Sequence, residues 1–553
     1  MLRKSAAGLA LTSVVTLGLA ACASGGTTTS TPTTLTEESN VGVTFTRNFN
    51  PFDTNSLAAE MNLRTLTYEP LLEFNPLKPG VIYPWLAKSW TWSNGGKTLS
   101  FKLRQDVRWS DGQLLTASDV AFTFNIINAV PAANYSGVPP LAQVTATDPA
   151  TAVLNFKTPQ YANLYAIAGS TYIVPQHIWQ SVSNPATATI VTPIGTGPYV
   201  LKKFSTRLAT FTVNPYYWGG KPPVTNVKVP SLADNQAAIA ALADGQLDWA
   251  GNDLPNIQTV YVSRNSAHNH YWFPPGNTVT LWVNMGKGGP LADPVVRRAI
   301  SAGIDRRQVA RLGESGYENP ATSSSGLILP NQQTYLAPQV TGDLPATGDA
   351  ARVRKLLSSD GYSKDSDGMW AKNGKEISFA IEDPVAFTDY YADAQFIANQ
   401  LNQVGIKATV DGVSTPQWFT DLGTGTFDTA IRWGAGGPYP FQQYQSWLDN
   451  TLAAPTGKTA PANFGRYNDP RTQSLLVEYE NTNDLATQAR ITRQLGAIVS
   501  AQLPVIPLLY GADWNVYSTA HFTGWPTASD PYINPSPNDP ELPYILMHLR
   551  PVS

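Results

Sequence analysis

Apolar positions recur along the chain with two periods, and stretches of each period take turns. A period of two marks a half-buried strand, and a period near 3.6 an amphipathic helix. Residues 41–49 (VGVTFTRNF) alternate and predict a strand. Residues 90–93 and 99–103 flank Asn94-Gly95-Gly96, which reads as strand, glycine turn, strand. Helical runs follow, each with its own start signal. Ser118-Asp119 opens AFTFNIINA, and Asp234 caps NQAAIAALA, which Gly245 closes. Asp293-Pro294 sets the start of VVRRAISAGI, with Asp at the cap and Pro at the first helical position. Asp349 caps AARVRKLLSS ahead of Gly361, and residues 390–404 form a further amphipathic helix that Gly405 stops. KATVDGV, 407–413, is a strand by pattern. Strands and helices are interleaved throughout, with no internal repeat of fixed period, so the fold class is α/β or α+β.

The N-terminus follows a different pattern. Arg3 and Lys4 precede an apolar run of 16 residues, 6–21, that is rich in small side chains. This is the layout of a secretory signal, and the run is shorter than the roughly 18 residues of a spanning helix. Leu19-Ala20-Ala21-Cys22 resembles a bacterial lipobox. That resemblance implies a signal peptide over 1–21, cleavage before Cys22, and a lipid on Cys22. An ordinary secretory signal cut elsewhere is the alternative. Residues 23–37 are small and polar, which predicts a tether from 22 to 37 with a reach of about 20–25 Å as a random coil.

Composition narrows the class. The chain has 553 residues, enough for two or three lobes. Its formal net charge is −3, and without Arg3 and Lys4 it is −5, with no clustered Lys and Arg to suggest nucleic acid. With Cys22 as the one cysteine, no internal disulfide forms and core burial alone must hold the fold. Pro (44) and Gly (42) are abundant and signal many turns. The 15 Trp are more than a core of this size requires, which raises the question of a ligand.

A series of segments then falls in order. YEPLLEFNP (68–76) precedes PWLAKSWTWSNGGKTLSFKLRQDVRWSDGQLLTASDVAFTF (84–124), followed by PIGTGPYVLKKF (193–204) and NPYYWGGKPPVTNVKV (214–229). After them come AAIAALADGQLDWA (237–250), DPVVRRAISAGIDRRQVA (293–310), VRKLLSSDGY (353–362) and IANQLNQVGIKATV (397–410). The series resembles the large extracellular solute-binding proteins, family 5, of peptide-type ABC importers, across nearly the whole mature chain. In physical terms Asp111-Gly112 is a tight turn, Thr116 to Asp119 caps the next helix, and Gly195 and Gly197 allow close backbone passage, at a lobe crossing by expectation. All of these read as scaffold.

The resemblance implies a two-lobed periplasmic-binding-protein clamp of the class II type, with an extra subdomain inserted in the first lobe. Lobe I would comprise 38–60, 190–280 and 517–553, the inserted subdomain 61–189, and lobe II 281–516. A ligand cleft between lobes and hinge closure follow. The resemblance also implies partners: a membrane permease with separate ATPase subunits, and a small oligomeric solute. It implies a monomer on the outer face of the cytoplasmic membrane, with no cofactor and no catalysis.

In peptide binders of this family an aspartate follows a tryptophan in the second lobe and pairs with the ligand's α-amino group. The matching stretch here is Arg432-Trp433-Gly434-Ala435-Gly436-Gly437-Pro438-Tyr439, in which glycines replace the aspartate. A buried ammonium without a carboxylate is costly, which shifts the expectation from oligopeptide to oligosaccharide. Sugars stack their C–H faces on aromatic rings and hydrogen-bond through hydroxyls. The candidate contacts are Trp433, Trp418, Tyr439 and Arg432 in lobe II, and Arg47, Asn48, Trp272, Trp282 and Asn284 in lobe I and the crossovers. Tyr510 and Trp514, beside Asp513, join them near the return crossover. Oligopeptide binding and a secreted lipoprotein glycoside hydrolase remain the alternatives, as does a sensor partner or adhesin.

Three further signals resolve into structure. His268-x-His270 has no Cys or acidic cluster at metal spacing. Asp365-Ser366-Asp367-Gly368 lacks the EF-hand spacing and reads as a hairpin turn. Gly95-Gly96-Lys97-Thr98 lacks the first glycine of a phosphate loop, since position 91 is Thr91.

Overall fold

Thr34–Glu38 runs through the middle of a seven-stranded sheet, parallel to both neighbours, Asn226–Pro230 and Trp249–Ala250. This computed structural model describes residues 33–552. The expected signal segment and Cys22 lie outside those residues. The strand corrects the tether boundary, because residues 34–37 belong to the folded body. Leu35 is buried in the core, and Glu37 and Glu38 are buried as well. Residues 41–49 are not a strand: they run as irregular chain that buries Phe45 and Phe49 without pairing to a ladder. Alternation there reflects side-chain burial alone.

From Asn226–Pro230 the sheet continues antiparallel through Leu208–Val213 to Tyr199–Ser205. On the other side Trp249–Ala250 leads to Val516–Ser518 and Asn269–Tyr271. A second sheet of six strands has the order Asn319–Pro320, Val505–Ala512, Pro275–Val283, Thr429–Arg432, Ser378–Pro384, Lys407–Val413. The last three are mutually parallel; the long helix Thr388–Gln403 joins Ser378–Pro384 to Lys407–Val413, and Thr415–Thr424 leads from there to Thr429–Arg432. A four-stranded antiparallel sheet, from Ala87–Ser93 to Leu141–Asp148, carries its own apolar core against the helix Ala117–Ala129.

The chain passes between the two large sheets twice, and the passages lie side by side. Residues 272–274 lead from Asn269–Tyr271 into Pro275–Val283, and residues 513–515 lead back from Val505–Ala512 to Val516–Ser518. Trp272 N donates to Asn515 O (3.0 Å) and Asp513 N to Pro274 O (2.9 Å). Two hydrogen-bonded crossing strands make a narrow connection about which two lobes can turn.

The local signals hold at the helix starts. Asp234 accepts from Ala237 N, Asp293 from Val295 N and Asp349 from Arg352 N. Thr116 and Asp119 form a reciprocal capping box. The hairpin Ala87–Ser93 with Thr98–Leu103 and the strand Lys407–Val413 stand where the pattern places them. Arg297 and Arg306, from the DPVVRRAISAGIDRR segment, are fully buried staples. Arg306 Nε donates to Pro507 O (2.8 Å) and its Nη atoms to Ser301 O and Oγ.

The Asp111-Gly112 turn and the segment 195–199 meet each other. Ser110 N donates to Gly195 O (2.9 Å), and Gly112 takes φ +91° in the Asp-Gly turn. Gly195 and Gly197 press on the backbone of Leu66 and Thr67, within the first lobe and not at a lobe crossing. A Cβ on Gly195 would lie 1.8 Å from Thr67 O, a backbone atom that cannot swing aside. Gly195→Ala is expected to cost at least about 2 kcal/mol, read as a lower urea midpoint; an unchanged midpoint would contradict this packing.

Candidate functional site

Where the two lobes face each other beside the crossing strands, a cavity of about 270 Å3 opens. One wall is the run after the strand Thr429–Arg432: Arg432, Trp433, Gly434, Ala435, Gly436 and Gly437. The floor comes from the crossings, as Gly276, Asn277 and Asp513. The opposite wall is Pro76, Tyr165, Asn534, Asp539, Pro540 and Glu541. The cavity thus draws on both lobes, the inserted subdomain and the hinge.

The glycines give the lobe II wall its shape. Gly436 and Gly437 adopt φ of +66° and +101°, conformations that side chains resist, and a Cβ on Gly436 would meet nothing within 4 Å. Trp433 stands above this bare backbone, half-buried. Its ring packs on Trp418 (5.7 Å), Phe387 (6.1 Å) and Tyr390 (6.4 Å, nearly parallel), which fix its orientation. The Arg432 guanidinium lies 5.3 Å from the Trp433 ring and 5.2 Å from Phe464. Burial pushes its pKa down to about 10, so Arg432 still carries its charge at neutral pH.

Four buried side-chain atoms around this one cavity have no partner among the described residues: Asn277 Oδ1, Arg432 Nε, Asp513 Oδ2 and Glu541 Oε2. Buried polar atoms in native proteins are overwhelmingly paired, so four around one cavity are groups that a hydrogen-bonding ligand could satisfy. The floor is close-fitted: a Cβ on Gly276 would fall 1.8 Å from Asp513 Oδ1, so only glycine admits the aspartate there. Asp513 is half-exposed by surface area yet enclosed by the cavity walls. That enclosure, then Asp539, holds its pKa well above the usual carboxylate range. Glu541 is raised by burial and then by Asp539. Asp539, to which Asn534 Nδ2 donates at 2.9 Å, is pushed up to about 6 by burial. Enclosure thus shifts each of these carboxyls toward its protonated form relative to a free carboxyl.

The sequence candidates separate cleanly. Trp433 and Arg432 line this cavity, and Tyr439 lines a neighbouring one. Trp418 and Trp282 belong to the lobe II core and expose no more than 1 % of their surface, so they support the site from behind. Asn284 is buried and donates from Nδ2 to Gly425 O (2.9 Å) and Phe427 O (2.8 Å), which commits it to the scaffold. Tyr510 is buried and bonded to Thr322 through its hydroxyl (3.0 Å). Arg47 Nε donates to Val191 O (3.0 Å), and Asn48 bonds Asp53 (3.0 Å) and accepts from Ile190 N (3.1 Å), both away from the cavity walls. Trp272 sits in a crossing strand, and Trp514 packs edge-on against Phe273 at 4.7 Å. Neither of these two lines the cavity. His268 and His270 both reach Thr519 at 3.3 Å.

Sequence reading missed Tyr165, Asn534, Asp539 and Glu541. The available signal was NPSPNDPEL, 534–542, a proline-rich run whose acids sit in an otherwise apolar C-terminal segment.

Two lobes, two crossing strands and a polar, aromatic-walled cleft at the hinge define a ligand-binding clamp. The profile of the bacterial extracellular solute-binding proteins, family 5, matches residues 81–454, and the chain belongs to that family. Among curated relatives, the nickel-binding periplasmic protein of Escherichia coli K12 is 25 % identical over 469 residues, covering 82 % of this chain and 85 % of that one. Protein XP55 of Streptomyces lividans is 28 % identical over 415 residues, 73 % of this chain and 71 % of that protein. Among solved structures, a periplasmic oligopeptide-binding protein of an ABC transporter from Thermotoga maritima superposes with a TM-score of 0.84 at 27 % identity, covering 94 % of this chain and 99 % of that one. The same protein with mannohexaose bound gives a TM-score of 0.78 at 27 % identity, over 94 % of this chain and 98 % of that one.

Proposed function

We propose that this chain is the solute-capturing component of an ABC importer and that its cleft takes an oligosaccharide. The observation that carries this reading is the set of four unpartnered polar atoms, donor and acceptor, arranged around one cavity beside the half-exposed Trp433 ring. A sugar offers an apolar face to such a ring and alternating hydroxyls to such atoms, and the structural relative with mannohexaose supports the same ligand class. An oligopeptide is the second reading, and Asp513 with Glu541 favours it, since carboxylates in the cleft can hold an ammonium.

The chain's own residues supply the mechanism. Arg432 and Trp433 hold the ligand from lobe II, Asp539 and Glu541 from lobe I, and Asn277 and Asp513 from the hinge. A ligand touching all three makes more contacts in the closed clamp than in the open one. That difference in affinity shifts the population toward closure, and the permease then reads the closed form. Cys22, lipid-modified at the outer face of the cytoplasmic membrane, would keep the clamp near the permease. Among the described residues no helix is long and apolar enough to cross a membrane. A strain deleted for this gene is expected to lose uptake of the labelled oligosaccharide that the protein binds, and restoration should need Cys22. Normal uptake in the deletion strain would end the transport reading.

A further inference from the structure

A second cavity, of about 220 Å3 and called the outer one, shares no lining residue with the first, the inner one. Trp90, Trp92 and Tyr161 line it from the inserted subdomain, and Tyr439, Tyr479 and Gln488 from lobe II. It is therefore also an interlobe space. Its walls continue those of the inner cavity. Tyr161 and Tyr165 stand four residues apart in one run of short helical turns, the first lining the outer cavity and the second the inner. On the facing wall Gly437 lines the inner cavity and Tyr439, two residues on, the outer. Along either wall the step is no more than about 7 Å.

The outer cavity is built around rings. Trp92 and Tyr161 meet edge to face at 5.2 Å, and Tyr479 is held by stacking on Phe441 at 4.5 Å. Gly96 makes room for this arrangement, because a Cβ there would fall 2.5 Å from the Tyr161 ring. Neither cavity alone reaches the roughly 300 Å3 at which small-molecule pockets begin, and together they exceed it.

We propose that the outer cavity is a second subsite, which takes the distal sugar units of an oligosaccharide whose inner end stands at Trp433. The inference rests on the oligosaccharide reading and adds to it a length requirement and a set of aromatic contacts. Trp92 and Tyr161 form the platform, and Tyr439 closes over it from lobe II. A ligand that fills both cavities ties the inserted subdomain to lobe II, so long ligands hold the clamp shut more firmly than short ones.

The test is calorimetric titration of the mature chain with mannobiose and mannohexaose, on wild type, Trp92→Ala and Tyr161→Ala. The wild type is expected to bind the hexasaccharide at least about tenfold tighter than the disaccharide. Each variant should lose that length preference while keeping its disaccharide affinity, which also shows that it is folded. Sugar binding with no length preference in the wild type, or a preference that survives both substitutions, would overturn the subsite alone. Loss of disaccharide binding in both variants to the same degree as hexasaccharide binding would also overturn it. Failure of both sugars to bind the wild type would overturn the oligosaccharide reading and the subsite with it.

Discussion

Replacing Trp433 by alanine is expected to weaken ligand binding by about 30- to 100-fold, the loss typical of a buried aromatic anchor. The ring is held on one side by Trp418, Phe387 and Tyr390, while the Arg432 guanidinium lies against it. It therefore meets a ligand already oriented, and little entropy is lost on binding. Removing it takes away the apolar face and also leaves Arg432 without one of its supporting rings. Because the ring touches the lobe II core, the variant should lose stability as well, by about 1–3 kcal/mol. Trp433→Phe separates the two effects: it keeps most of the packing and should bind with intermediate affinity. Titration of both variants decides the matter, and wild-type affinity in Trp433→Ala would remove Trp433 from the site.

The protein should also be more stable at pH 5 than at pH 8. Burial pushes Glu37, Glu38 and Glu318 up to about 8, Glu69 up to about 7 and Asp383 up to about 9. All five are nearly or fully inaccessible. Their folded values lie above their unfolded ones, so between about pH 4.5 and pH 8 the folded chain binds more protons than the unfolded chain. Stability is then greatest below the unfolded values and declines as pH rises through the folded ones. Several carboxyls act in the same direction, so Tm should fall by about 5 °C or more from pH 5 to pH 8. Scanning calorimetry across that range checks it. A Tm that is flat or rises with pH would mean that these carboxyls are ionised in the folded protein.

The same burial explains which parts of the fold were legible. Caps were readable because their chemistry is local: Asp234, Asp293 and Asp349 each bond a backbone N–H within three residues. The strand Thr34–Glu38 was not, because Glu37 and Glu38 present as polar tether yet are buried at the centre of a sheet. Only partners some 190 to 210 residues away, Asn226–Pro230 and Trp249–Ala250, make that burial possible. Residues 41–49 show the converse, alternating because Phe45 and Phe49 turn inward from irregular chain.

The site divides in the same way. Trp433 stood out through the glycines that follow it, which stand where peptide binders of the family carry an aspartate. The cavity's carboxyls come from elsewhere: Asp513, Asp539 and Glu541 line it, from elements 80 or more residues further along the chain. Aromatic content alone could not separate Trp418, Trp282 and Tyr510 from Trp433, because a tryptophan behind a wall and one on its surface have the same sequence signature. Only the packing decides, and it places Trp418 and Trp282 behind the wall and Trp433 on it.

Whether the cleft takes a sugar or a peptide is open to direct measurement. A thermal-shift screen of the mature chain against di- to hexasaccharides and di- to pentapeptides tests it most directly. A ligand present at a hundred times its dissociation constant adds about 2.7 kcal/mol of stability. An oligosaccharide is expected to raise the melting temperature, and peptides at the same concentrations are not. A shift with peptides and none with sugars would contradict it.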